Sequence, residues 1–189
     1  DGHNLLGLAP HRIAGLGISR TFQLCRPFVG LSVLENVIVG ALGRRSKVGE
    51  GDLAVRAQRL LAQVGLAGKE GVPVEVLSYG DQRRLEIARA LAAKPALLLL
   101  DEPFAGLGSA EIADLSALIR TVHADEGLTV VLIEHKLREF MRLVDRVVAL
   151  DFGEVIAEGL PDDIVRHPAV IEAYIGRDGD AIASQSHAA

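Results

Sequence analysis

Four consecutive leucines, Leu97 to Leu100, run directly into Asp101-Glu102-Pro103. With Ala96 they make an apolar run too short for a helix and bounded by Pro95 and Pro103, the pattern of a fully buried strand. Ala110 to Ala124 then has amphipathic helical spacing, and Thr129 to Ile133 is a second β-branched, aliphatic run. Two buried strands joined by a long helix predict a parallel sheet covered on both faces, hence an α/β fold. Ligands of such sheets bind beyond the carboxyl ends of the strands, which is where Asp101 and Glu102 emerge.

The segment before Pro95 reads differently. Pro10 to Leu16 predicts a short helix ended near Gly17, followed by a strand from Ile18 to Phe22 with Gln23 just past it. From Ser32, the spacing of Val33, Val37 and Ala41 predicts a helix; Gly43 to Gly51 reads as a loop, and Ala54 to Val64 as a helix closed by Gly65. With the helix after Gly80 this makes a helical insert at about residues 26–94. After the sheet strands, Leu137 to Leu143 predicts a short helix, and Arg146 to Leu150 with Glu154 to Glu158 a hairpin across Asp151-Phe152-Gly153. Pro161 to Val165 and Ala169 to Ile175 read as short helices. Residues 177–189 turn small and polar and read as a disordered tail, so the domain is expected over residues 1–176.

A net charge of -5 over 189 residues lacks the basic excess that nucleic-acid binding needs, and Arg83-Arg84 is the local patch that stays open. Cys25 is the single cysteine, which suits a reducing compartment. No apolar run approaches the roughly 20 residues of a membrane span, so any membrane association is expected through a partner. The chain begins at Asp1 without Met or a signal-peptide pattern, an opening that reads as a fragment or trimmed product.

Several motifs carry chemistry. Phosphoryl transfer needs a carboxylate for Mg²⁺ and a group that orients the attacking water, and Asp101 and Glu102 fit those roles in turn. Read alone, Asp-Glu-Pro is two solvated acids starting a turn. Leu77-Ser78-Tyr79-Gly80 precedes Asp81 to Leu91, a good helix former with Leu85, Ala88 and Leu91 on one face. Ser78 is its expected N-cap, and Gly80 lets an anion approach the amides of the first turn. His135 follows the strand ending at Ile133, and a lone histidine is more often structural than catalytic. Ser78 is no hydrolase nucleophile, because the glycine two residues before it is missing.

In this order, Thr21-Phe22-Gln23, Leu77 to Gln82, Leu97 to Pro103 and Ile133-Glu134-His135 resemble the ATPase of an ATP-binding cassette (ABC) transporter. The resemblance implies a P-loop NTPase-like cassette, mainly parallel sheet with a helical subdomain. It implies ATP and Mg²⁺ as ligands, with Gln23 and Asp101 toward the metal. Glu102 and His135 would be catalytic, and Ser78 and Gly80 would touch ATP held by an opposite subunit. The signature pattern of the family has Gly at the place of Tyr79 and Gln at that of Asp81. Phe104 to Gly108 resembles the loop lining the subunit boundary, with Gly108 where an acid or Asn is usual.

Leu8 to Ala14, Arg20 to Gln23, Tyr79 to Leu91 and Val170 to Gly176 narrow the likeness to ATP-binding subunits of branched-chain amino acid importers. Implied partners are permease subunits in the membrane and a second ATP-binding subunit, identical or related, with no nucleic acid. The implied location is the cytoplasmic face of the inner membrane, peripherally bound. A cassette for another solute and a degenerate nonhydrolysing regulatory module are the competing expectations.

No Gly-x-x-x-x-Gly-Lys-Ser/Thr occurs in the 189 residues: Gly68-Lys69 is followed by Glu70 and has Gln63 at the required glycine position. Family members carry that phosphate loop, the adenine-stacking aromatic and the first strands upstream of the point where Asp1 stands, so those strands are expected to be missing. Each charge-assisted bond to phosphate contributes about 1.5–3 kcal/mol. These residues alone are therefore expected neither to bind ATP tightly nor to hydrolyse it.

Overall fold

Strands β1 (Ile18–Arg20), β2 (Leu97–Asp101) and β3 (Thr129–Ile133) form one parallel sheet in the order β1-β2-β3 in the computed structural model. The structure describes residues 2–42, 50–135 and 137–175. Register pairs Leu97 with Ile18 on one side and Thr129 on the other, so the carboxyl ends of all three strands lie at one edge. The chain divides into two units, Asp1–His135 and Lys136–Ala189.

Among the described residues the two faces of the sheet are unequally covered. Leu98 and Leu100 are buried and their β3 neighbours Val130 and Leu132 half-buried, whereas Thr129, Val131 and Ile133 on the opposite face are exposed. Side chains alternate across a strand, so the described elements cover one face well and leave the β3 part of the other open. Strand β1 also stops two residues earlier than its apolar pattern predicts. The amide of Thr21 still donates to Leu99 O at 2.9 Å, but that of Phe22 donates to the Glu86 carboxylate at 2.9 Å and so leaves the ladder.

Helices α1 (Pro10–Gly15), α2 (Val33–Ala41), α3 (Glu50–Gln63) and α4 (Tyr79–Ala92) precede β2, with a single 3-10 turn at Val74–Val76. The expected loop from Gly43 lies outside the described residues up to position 49, and α3 begins at Glu50, ahead of the predicted Ala54. Helix α2 opens on a capping box: Glu35 N donates to Ser32 Oγ at 3.3 Å, and Ser32 N donates back to Glu35 Oε2 at 2.7 Å. The Ser32 amide, together with the Ser32 hydroxyl donating to the same oxygen at 2.7 Å, holds the Glu35 carboxyl below its usual range. Helices α2, α3 and α4 pack on one another around Val33, Val37, Leu61, Val64, Leu85, Ala88 and Leu91, all buried. Gly40 permits the closest approach, since a Cβ there would lie 2.5 Å from the backbone oxygen of Arg89.

Helix α5 (Ser109–Glu126) makes the crossover between β2 and β3 and ends at Gly127, whose φ of 58° is left-handed. In the second unit, α6 (Leu137–Met141) precedes an antiparallel hairpin of β4 (Val147–Asp151) and β5 (Glu154–Gly159). Val147, Ala149 and Ala157 pack with Ile164 of α7 (Pro161–Ile164) and Val170 of α8 (Pro168–Val170). The last predicted helix divides, because α8 passes into a π-helical turn at Ile171–Ile175. The predicted tail lies outside the described residues. No helix among the described residues is long and apolar enough to cross a membrane.

Candidate active site

The carboxyl edge of the sheet gathers four of the six predicted site residues. Asp101 is the last residue of β2; its amide donates to Thr21 Oγ1 at 3.3 Å, and its Oδ2 accepts from Arg20 Nη2 at 2.7 Å. Glu102 turns the chain out of the sheet with φ of 46°, a left-handed value that strains a residue with a Cβ. The turn is held on both sides: Glu102 N donates to Ile133 O at 2.9 Å, and Ala105 N donates to Glu102 O at 3.1 Å. The Glu102 carboxylate is then clasped, with Gln23 Nε2 donating to Oε2 at 2.7 Å and His135 Nδ1 standing 3.6 Å from Oε1.

Glu134, quoted within a motif but given no role from sequence, organises this edge from below. Its side chain is fully buried, and it accepts from Phe104 N at 2.7 Å and His135 N at 3.1 Å. One carboxylate thus fixes both the turn after Glu102 and the backbone of His135. An acid following an apolar strand reads in sequence as solvent-facing, so no local signal marks it.

The segment carrying Gln23 is bound to α4. Arg83 Nη1 donates to Phe22 O at 2.8 Å, and its Nη2 donates to Gln23 O and to Tyr79 Oη, the latter at 2.8 Å. Glu86 pairs with Arg83 at 3.3 Å, accepts the Phe22 amide and receives the Cys25 thiol at 3.5 Å. Arg89 continues the stripe, donating to Arg26 O at 2.8 Å and lying 4.4 Å above the Phe28 ring. Burial first, then Glu86, pushes the Cys25 thiol up to about 12.

Arg83 is only 2% exposed, which removes it from any surface basic patch for nucleic acid. A guanidinium is buried only where partners replace water. The available signal was spacing: Arg83, Glu86 and Arg89 recur every three residues on one side of a helix whose other side is apolar.

Ser78 and Gly80 lie in a separate place. Ser78 caps α4, its Oγ accepting from Asp81 N at 3.1 Å, as its position predicts. With Gly80, Asp81, Arg84, Leu107 and Glu111 it lines a shallow cleft of about 170 Å³ that does not include Gln23, Asp101, Glu102 or His135. A Cβ at Gly80 would come 2.7 Å from Glu111 Oε1, a side-chain end that would have to move aside. Asp81, at the place of the usual Gln, is paired with Lys69 at 2.5 Å.

A family model of ABC transporters matches residues 1–105. The high-affinity branched-chain amino acid transport ATP-binding protein BraF of Pseudomonas aeruginosa is 37% identical over 93% of this chain and 74% of its own length. The corresponding protein LivG of Escherichia coli has the same identity and coverage.

This chain belongs to the ABC transporter family.

A second model, of branched-chain amino acid ATP-binding cassette transporters, matches residues 154–180 of this ABC protein. Among solved structures, an ATP-binding cassette of an ABC transporter in its ADP conformation superposes with a TM-score of 0.77. It is 28% identical, and the match covers 89% of this chain and 72% of that one. A dimeric cassette in a post-hydrolysis state, bound to ADP and Pi, gives a TM-score of 0.71 at 27% identity, covering 82% of this chain and 68% of that one. The ABC cassette fold read from the sequence is therefore the fold observed, and nucleotide binding and ATP hydrolysis are the activity of the family.

Proposed function

We propose that this chain is the energy-coupling part of an importer of branched-chain amino acids, in which ATP hydrolysis takes place at the edge formed by Gln23, Asp101, Glu102 and His135. The observation that carries this reading is their convergence: three strands and the Gln23 segment bring an amide, two carboxylates and an imidazole to one end of a parallel sheet. The likeness to BraF and LivG supports the solute class.

Glu102 is the residue that handles water. Its carboxylate is held by Gln23 and stands beside His135, so it accepts a hydrogen bond from water and takes a proton as the water oxygen bonds to the γ-phosphorus. The bond from that phosphorus to the bridging oxygen then breaks, leaving ADP and inorganic phosphate. His135 donates toward the phosphoryl oxygens, where negative charge is concentrated. Ser78 and Gly80 present the amino end of α4 to ATP held by a second ATP-binding subunit, which their cleft, distinct from the carboxylate edge, makes consistent.

Mg²⁺ binds through one or two carboxylates together with substrate phosphates and water, rather than in an all-protein cage. Asp101 and Gln23 suit that arrangement, and among the described residues no group of three or more His, Cys, Asp or Glu forms a metal cage. The ion neutralises phosphate charge when bound. No Gly-x-x-x-x-Gly-Lys-Ser/Thr lies among residues 1–189. In this reading the subunit docks on permease subunits at the cytoplasmic face of the membrane.

Uptake of radiolabelled leucine by cells with and without the gene tests the proposal. Loss of uptake on deletion, restored by the intact gene, is expected. Unchanged leucine, isoleucine and valine uptake would overturn the assigned solute class.

A further inference from the structure

We propose that Tyr79, Arg83 and Glu86 form a positioning unit that ties the turn after Glu102 to the backbone of Gln23. The inference rests on the hydrolytic role given above to Gln23 and Glu102, and concerns residues outside that set.

The contacts make a closed circuit. Glu102 leads into the turn at Phe104 to Gly106, and Gly106, with φ of 75°, lies against the Tyr79 ring so closely that a Cβ there would meet Tyr79 Cε1 at 3.0 Å. The Tyr79 hydroxyl accepts from Arg83, whose Cζ also lies 5.2 Å from the Tyr79 ring centre. Arg83 holds the carbonyls of Phe22 and Gln23, and Glu86 holds the Phe22 amide. The Gln23 side chain returns to Glu102.

Three of the backbone groups at Phe22 and Gln23 are thus bonded to α4 side chains instead of to a strand. A shift of α4 along or about its axis carries the Gln23 backbone with it. Tyr79 stands where the family signature has glycine, in the first turn of α4 beside Ser78 and Gly80. The same turn therefore presents the amides proposed to meet ATP across the subunit boundary and, through Tyr79 and Arg83, sets the glutamine that holds Glu102. Arg83 Nε is buried with no hydrogen-bond partner, so the guanidinium is oriented by its two terminal nitrogens alone. Placing Gln23 is a matter of geometry, where an error near 1 Å costs about 100-fold in rate.

Steady-state ATP hydrolysis by the intact protein tests this, with kcat, KM for ATP and Tm measured for wild type, Tyr79→Phe, Arg83→Lys and the double variant. Tyr79→Phe keeps the ring against Gly106 and removes one hydrogen bond. It is expected to lower kcat about fivefold, with KM and Tm unchanged. Arg83→Lys loses the forked grip on two carbonyls and is expected to lower kcat about 100-fold. The double variant is expected to match Arg83→Lys, because both changes cut one linkage. A fall in Tm alone, or a rise in KM with kcat intact, would overturn the positioning role; should Arg83→Lys not fold, the exposed Tyr79 still decides. A wild type that does not hydrolyse ATP would instead sink the hydrolytic reading, and the inference with it.

Discussion

At the scale of single residues, the site is built from side chains whose surroundings contradict their sequence neighbourhood. Glu102 adopts a left-handed φ that costs about 1–3 kcal/mol for a non-glycine residue, and it keeps it because Ile133 O and Ala105 N bond the turn on both sides. Asp101 and Glu102 were legible only in company with the other motifs, since read alone they are two solvated acids starting a turn. Arg83 and Glu134 were not, because their partners are backbone groups 61 and 30 positions away in sequence. Cys25 is half-buried and donates its thiol to Glu86 at 3.5 Å, an environment that yields a test. Burial raises the thiol from 9.0 to about 12, favouring the neutral form. Its contribution to stability is therefore complete below pH 9.0 and is lost as pH rises toward about 12. Iodoacetamide at pH 8 is expected to label Cys25 about three powers of ten more slowly in the folded protein than in urea; equal rates would contradict the buried environment.

Elements followed periodicity where one pattern dominated and departed from it where side chains intervened. Strand β3 and helices α2, α4 and α5 lie close to their predicted spans because caps and apolar spacing agree. Strand β1 is short because Glu86, far along the chain, captures the Phe22 amide, an event no local pattern reveals. The division of the last helix into α8 and a π-helical turn was equally hidden, since Pro168 marks a start but nothing in Ile171–Ile175 marks a change of hydrogen bonding. The contact of α2 with α4 depends on Gly40, which periodicity treats as an ordinary helical position. Gly40→Ala would drive a methyl into the Arg89 carbonyl and is expected to cost about 1–3 kcal/mol. Thermal denaturation should show a Tm lower by several degrees, and an unchanged Tm would show that the helices separate freely.

For the whole molecule, the sequence carried the parallel-sheet α/β architecture, whereas the separate place of Ser78 and Gly80 from Gln23, Asp101, Glu102 and His135 is read from the structure. The sequence did not carry the open face of β3 or the division into two units, because burial depends on which elements meet. In the proposed reading, Asp101, Glu102 and His135 serve phosphoryl transfer, and the 189 residues contain no Gly-x-x-x-x-Gly-Lys-Ser/Thr. Calorimetric titration of these residues alone with ATP is expected to give binding weaker than micromolar by several powers of ten, whereas micromolar affinity would show that another cradle exists within them. The central claim is that Glu102 handles the attacking water. The measurement that tests it most directly is ATP hydrolysis by the intact protein with Glu102 and with Glu102→Gln, alongside ATP-dependent dimerisation. Turnover is predicted to fall at least about 100-fold while ATP still holds the dimer together; a variant that hydrolyses ATP at the wild-type rate would contradict the account.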